Sequence, residues 1–434
     1  MLLPRLSEAD PLASSEGSID PLGMYAIADA LATRLVPGVR ERMQRARFVT
    51  AIAVSAAVCG DFGEDVLAAD GLSEPWQVFE WYLVEGLVRT CDDREAIRGV
   101  PGSDKANSAI RNRVPLSAAR YLKTPSVYGY HGVYRLLAEN LGIVVDGRLG
   151  EAGCELLMTW MREQRLRGFW GSADGPGRWW HERLFSAVED GLAKGAVDRG
   201  GGWQVWEFFR HHLAPAPVGR EEGRFLFQRM VGSPNSFRGQ VLRVLVSDEG
   251  QRVWREREDE QAFHQALRAA ATPHLVELLD AIDAYERFCR LLDDAFNDCL
   301  VEMTRHGEKT PLARLSRLDS VCRAAEGVPE VFPEVADRLT AFGENGRFHE
   351  TFASLAEGGS TADWLDRFLE HHRRIQLDKP PNGKNPWFER YDDGSAIVRP
   401  DYRRPEEPEE DGGYVHFYRT QPLWSFVTDL GQVD

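Results

Sequence analysis

Leu136-Leu137-Ala138-Glu139-Asn140-Leu141-Gly142-Ile143-Val144-Val145-Asp146-Gly147-Arg148-Leu149 changes its period part-way along. Up to Leu141 the apolar residues recur at three and four positions, the mark of a helix, and Gly142 stands where a C-cap is needed. Ile143, Val144 and Val145 then form a β-branched run. Asp146-Gly147 is a two-residue hairpin turn, and Arg148-Leu149 returns. Upstream, the helix extends back to Tyr128, with Val133, Leu136, Leu137 and Leu141 on one face. Thr124-Pro125-Ser126 is a turn before it. Residues 116–122 are predicted as a short helix, separated by Val114-Pro115 from a helix over 105–112 that Ser103-Asp104 caps. Downstream, Gly150-Glu151 opens a helix carrying Leu156, Leu157, Trp160 and Met161.

Three helices, a tight hairpin and a closing helix, over about residues 99–166, resemble the winged helix-turn-helix superfamily. The residues that carry the resemblance are 136–144, Asp146-Gly147-Arg148-Leu149 and Gly153. They look like the recognition-helix end, wing and following helix of many bacterial regulators. The resemblance implies a third helix in the major groove and a wing on the backbone. Tyr128, Tyr130, His131, Tyr134 and Arg135 would then face DNA, and Arg148 would meet phosphate or the minor groove.

Charge points the same way. The 434-residue chain holds 52 Lys and Arg against 68 Asp and Glu, a net −16, so its mean field repels phosphate. Yet residues 103–135 carry Lys105, Arg111, Arg113, Arg120, Lys123 and Arg135 against Asp104 alone, a local +5. Such a reversal is what a phosphate-facing surface requires. A protein-docking module with a solvated basic face is the competing explanation.

A second basic segment, 371–390, ends a helix and enters a Pro-Pro-Asn-Gly turn. Arg373, Arg374, Lys379, Lys384 and Arg390 there either complement the helix dipole or, with Trp387, offer phosphate and stacking contacts. The acidic run at Glu406, Glu407, Glu409, Glu410 and Asp411 is a solvated loop or a cover for that segment.

The remainder predicts a mainly α protein, with helical bundles around the winged-helix-like unit and an irregular, partly β tail. Expected divisions are a loose arm at 1–19, a bundle at 20–98, the winged-helix-like domain at 99–170, a helical domain at 171–376 and a tail at 377–434. The tail carries β-like pieces at 396–398 and 414–418. The clearest helix spans about 273–305, where Leu275, Leu278, Leu279, Ile282, Tyr285, Phe288, Leu291, Leu292, Phe296, Cys299 and Leu300 keep a three-and-four rhythm.

Six cysteines form no CxxC pair and no zinc-like His spacing, so they are expected as reduced thiols in a cytoplasmic chain. The longest apolar run, 48–59, is too short to span a bilayer and predicts a buried helix. No Walker A, GxGxxG, HExxH or GxSxG pattern occurs, so no catalytic residue, cofactor or metal is assigned. The expectation is a non-catalytic DNA-binding subunit or regulator with duplex DNA and other protein subunits as partners. A large helical body around a small DNA reader suits a bacterial DNA-transacting or anti-phage defence assembly. The alternatives are an interaction scaffold and a metal-dependent nuclease.

Overall fold

A computed structural model describes residues 20–63, 65–91, 97–306, 309–380, 382–404 and 412–433. It is mainly helical, and among the described residues the strands are few and short. No described helix is long and apolar enough to cross a membrane. Two compact units emerge, both discontinuous in sequence: 20–34 with Asp259–Tyr418, and Leu35–Glu258 with 419–433. The chain therefore changes unit near 34, 258 and 418, not at the divisions expected near 98, 170 and 376. The expected 1–19 arm lies outside the described residues.

In the first unit the long helix runs Pro273–His306, as its rhythm predicts. Of its eleven periodic apolar residues only Leu291 is not buried. The helix packs on Asp319–Thr340. Phe288, Phe332, Phe348 and Phe352 interlock there, with Phe332 and Phe348 ring centres 4.6 Å apart. The N-terminal segment joins this unit through contacts no local pattern announces. His371 bonds the Leu22 carbonyl at 2.8 Å. His372 Nδ1 donates to the Pro21 carbonyl at 2.8 Å, which leaves Nε2 to accept the Trp387 N–H at 3.0 Å. Thr310–Pro311, Ser395–Val398 and Phe388–Tyr391 make an antiparallel sheet with Ser395–Val398 in the middle. The expected strand at 414–418 does not form. Its amides are taken by side chains instead: Glu286 accepts from Val415 and His416, and Glu260 from Tyr418.

In the second unit the Arg47–Cys59 helix is the core, buried over almost its whole length. Pro75–Thr90, Tyr130–Asn140, Glu151–Glu163 and Pro176–Lys194 pack around it. Trp206–Leu213 adds Phe208 and Phe209 to an aromatic layer with Trp160 and Phe169. Downstream helices Phe237–Leu245 and Asp248–Arg257 begin at Ser236 and Ser247, whose side chains accept the N–H three residues on.

Candidate nucleic-acid interface

The placement of residues 97–149 starts from a buried carboxyl. Glu80, on Pro75–Thr90, is wholly inaccessible. Its carboxylate accepts the His131 N–H at 3.1 Å and the Tyr121 hydroxyl at 2.7 Å. A neighbouring helix thus supplies the cap of Tyr130–Asn140, a carboxyl oxygen that accepts one of the orphan N–H groups at that helix's start. Gly129 permits it, because a Cβ there would stand 1.9 Å from Glu80 Oε1.

Burial pushes the Glu80 carboxyl up to about 7, against the lowering pull of the Tyr121 hydroxyl and the His131 and Tyr130 amides. A carboxyl raised in the folded state stabilises while it holds its proton. That contribution is complete below the ordinary value near 4.5 and is lost as pH rises through 7. Between about pH 5 and pH 8 this group is expected to remove about 2–3 kcal/mol of stability. Glu80→Gln, neutral throughout, should flatten that slope in urea-unfolding midpoints. Parallel slopes in the two proteins would refute the assignment.

Around this anchor some of the expected helices and the expected hairpin form. Val144–Val145 pairs with Arg148–Leu149 in the expected register, and Asp146 and Gly147 both take positive φ, 49° and 76°. This is the conformation the two-residue turn demands. Ser103–Arg111 is a helix, and so is Tyr130–Asn140, with a separate short turn at Pro125–Tyr128 before it. The expected helix at 116–122 is replaced by Leu116–Ser117, a strand paired with Ala196–Val197, and a single turn at Ala118–Arg120. Val114-Pro115 holds the chain extended at that point, and a remote strand captures it.

Two of the three tyrosines assigned to DNA face inward. Tyr130 and Tyr134 are fully buried four residues apart, with ring centres 5.4 and 5.3 Å from Phe48. The Tyr134 hydroxyl accepts the amides of Gln44 and Arg45 at 2.8 and 2.9 Å. Neither can enter a groove. His131 stacks on Trp76 at 4.2 Å, and burial, then Arg135, lowers its pKa to about 3, so it is neutral. The outward face of Tyr130–Asn140 shows Arg135, Leu136, Glu139 and Asn140, and Arg135 pairs with Glu139 at 3.1 Å. Tyr128 lies under the Arg42 guanidinium.

Two clefts flank this region. One of about 330 Å³ brings His131, Arg135 and Arg148 together beside Trp76, but Glu74, Glu139 and Asp146 also line it and offset the charge. The other, about 680 Å³, lies along Ser103–Arg111 with Arg98 and Arg111 in its walls. That helix buries Ala106 and Ala109 and turns Lys105, Ser108 and Arg111 outward. Lys105, Arg111, Arg113, Arg120 and Lys123 are all exposed, and no ion pair to any of them occurs among the described residues.

The second basic segment is built differently. Trp387 is buried and stacks on Tyr402, ring centres 4.5 Å apart and nearly parallel, so it is not available to a base. Arg373 is held by Glu370, Arg374 by the Thr351 carbonyl, Lys379 by the Asp20 carbonyl and Arg390 by Asp366. Lys384 is half-buried, and its amide bonds the Gln376 carbonyl. These contacts fasten the tail of the first unit. The acidic run at 406–411 lies outside the described residues.

All six cysteines are free thiols, and Cys289 and Cys299 are buried. No family model, characterised protein or solved structure matches this chain.

Proposed function

We propose that this chain is a non-catalytic DNA-binding subunit that grips the phosphate backbone of duplex DNA. Residues 99–166 act as a winged-helix-like unit, with Asp146-Gly147-Arg148 as its wing. The observation that carries the proposal is the set of five exposed cations, Lys105, Arg111, Arg113, Arg120 and Lys123, without acidic partners among the described residues of a chain whose net charge is −16. Elsewhere in the same chain exposed arginines such as Arg178, Arg224 and Arg252 are paired with glutamates. Cations left unpaired against an adverse mean field are suited to displacing counterions from DNA.

Inward-facing Tyr130 and Tyr134 remove two base-reading side chains from the recognition helix, so the contact is with backbone and not with sequence. Fluorescence anisotropy of a labelled duplex tests this. Binding is expected at about 50 mM NaCl, weakening steeply by about 200 mM, with equal affinity for a scrambled sequence. No binding at the lower salt would overturn the proposal.

A further inference from the structure

The long helix of the first unit places Glu286 and Cys289 three residues apart, on one face and about one turn from each other. His416 comes to the same place from the chain's C-terminal side. One ligand atom from each of the three lies within 4.8 Å of the other two. Glu286 and Cys289 are buried, at 2% and 0% exposure. We propose that Glu286, Cys289 and His416 bind a thiophilic divalent cation, zinc by its donor set, at a site independent of the DNA-contacting face.

The chemistry of the three donors supports that class. A thiolate, an imidazole and a carboxylate are the ligand types of zinc, and they exclude magnesium and calcium, which take oxygen alone. Three protein ligands leave a fourth tetrahedral position for water or an exogenous ligand. Glu286 also lines a cavity of about 610 Å³. Surrounding groups orient the carboxylate: the Tyr418 hydroxyl donates to Oε1 at 2.6 Å and the Val415 amide to Oε2 at 2.6 Å. Such outer contacts are what fix a metal ligand in place.

His416 Nδ1 bonds Glu286 Oε1 at 2.8 Å. Two ligands on one tetrahedral zinc stand roughly 3.3 Å apart, so the pair needs to open by about half an ångström. Binding releases the Cys289 thiol proton and the proton shared between His416 and Glu286. A cation on this cluster would tie the 412–418 segment to the long helix.

Cobalt(II) is the probe, added to the chelator-stripped full chain. A sulfur-to-cobalt charge-transfer band is expected, saturating at one equivalent and bleached by zinc. Cys289→Ala, a small change in a buried site, should abolish the band. His416→Gln can still bond Glu286 but loses the imidazole ligand, and it should weaken cobalt binding at least tenfold with the helical circular dichroism unchanged. Should Cys289→Ala not fold, the His416→Gln titration decides alone. No band in the wild type, a band surviving Cys289→Ala, or unaltered affinity in His416→Gln each overturns the site.

Discussion

Arg47→Met is expected to lower the stability of the second unit by about 3–5 kcal/mol at pH 8, the scale for stranding one partner of a buried ion pair. Arg47 is 2% exposed, and Glu222 is wholly buried with its Oε2 3.3 Å from the guanidinium. Arg47 also donates to the carbonyls of His212 at 2.9 Å and Pro217 at 2.6 Å. Methionine fills much of the volume but leaves a carboxylate without its cation and takes a donor from the Pro217 carbonyl, while the His212 carbonyl keeps Trp160 Nε1 at 3.0 Å. Thr50, which donates to Glu222 Oε1 at 2.6 Å, cannot compensate for the lost charge.

The pH dependence identifies the cause. Burial raises the Glu222 pKa and Arg47 opposes the rise, so removing Arg47 lets it climb further. A carboxyl raised in the folded state is penalised only when ionised. The deficit should therefore be full above that raised value and shrink as pH falls toward the ordinary carboxylate range. Urea unfolding of the variant at pH 8 and pH 5 measures both, and Arg47→Met with Glu222→Met should recover part of the loss. A deficit below about 1 kcal/mol, or one that does not vary with pH, would show that the pair contributes little.

Arg47 and Glu80 share a feature that explains why neither is legible in the sequence. Each is a charged residue within a strongly apolar helix, and its partner is remote: His131 lies 51 residues from Glu80, and Pro217 lies 170 from Arg47. Local periodicity marks such a residue as a solvated position. The Pro273–His306 helix and the Asp146-Gly147 hairpin are legible because their signals are local: a three-and-four apolar rhythm in one, and the backbone freedom of Asp-Gly in the other. The 116–122 segment is misread for the opposite reason, since its strand exists through Ala196–Val197, about eighty residues away.

Aromatic residues expose a different limit. Tyr130 and Tyr134 have the composition of a groove-reading helix, yet Phe48 and the amides of Gln44 and Arg45 claim them for the core. Trp387 is likewise claimed by Tyr402. The basic residues of 105–123 are exposed, because long charged side chains with no acidic partner among the described residues stay in solvent.

On the proposed DNA contact, the five-fold variant Lys105→Ala, Arg111→Ala, Arg113→Ala, Arg120→Ala and Lys123→Ala is expected to lose most of the affinity. If each cation neutralises one phosphate, the logarithm of the wild-type affinity should fall with the logarithm of salt at a slope of about −4.5. That slope corresponds to a loss of roughly 500-fold between about 50 and 200 mM NaCl. The variant should bind at least ~100-fold more weakly at the lower salt, with a slope near zero. None of the five is buried, and none is in an ion pair among the described residues, so thermal stability should stay within about 0.5 kcal/mol per site.

The comparison that discriminates is Arg373→Ala with Arg374→Ala. It removes the same kind of charge from side chains already engaged by Glu370 and the Thr351 carbonyl. If net charge alone governs affinity, that pair should weaken binding by about two-fifths of the logarithmic loss seen in the five-fold variant. If the unpaired face of 105–123 is the contact, the pair should leave both affinity and slope nearly unchanged. Equal effects per charge removed would reduce the interface to a long-range field and sink the local assignment.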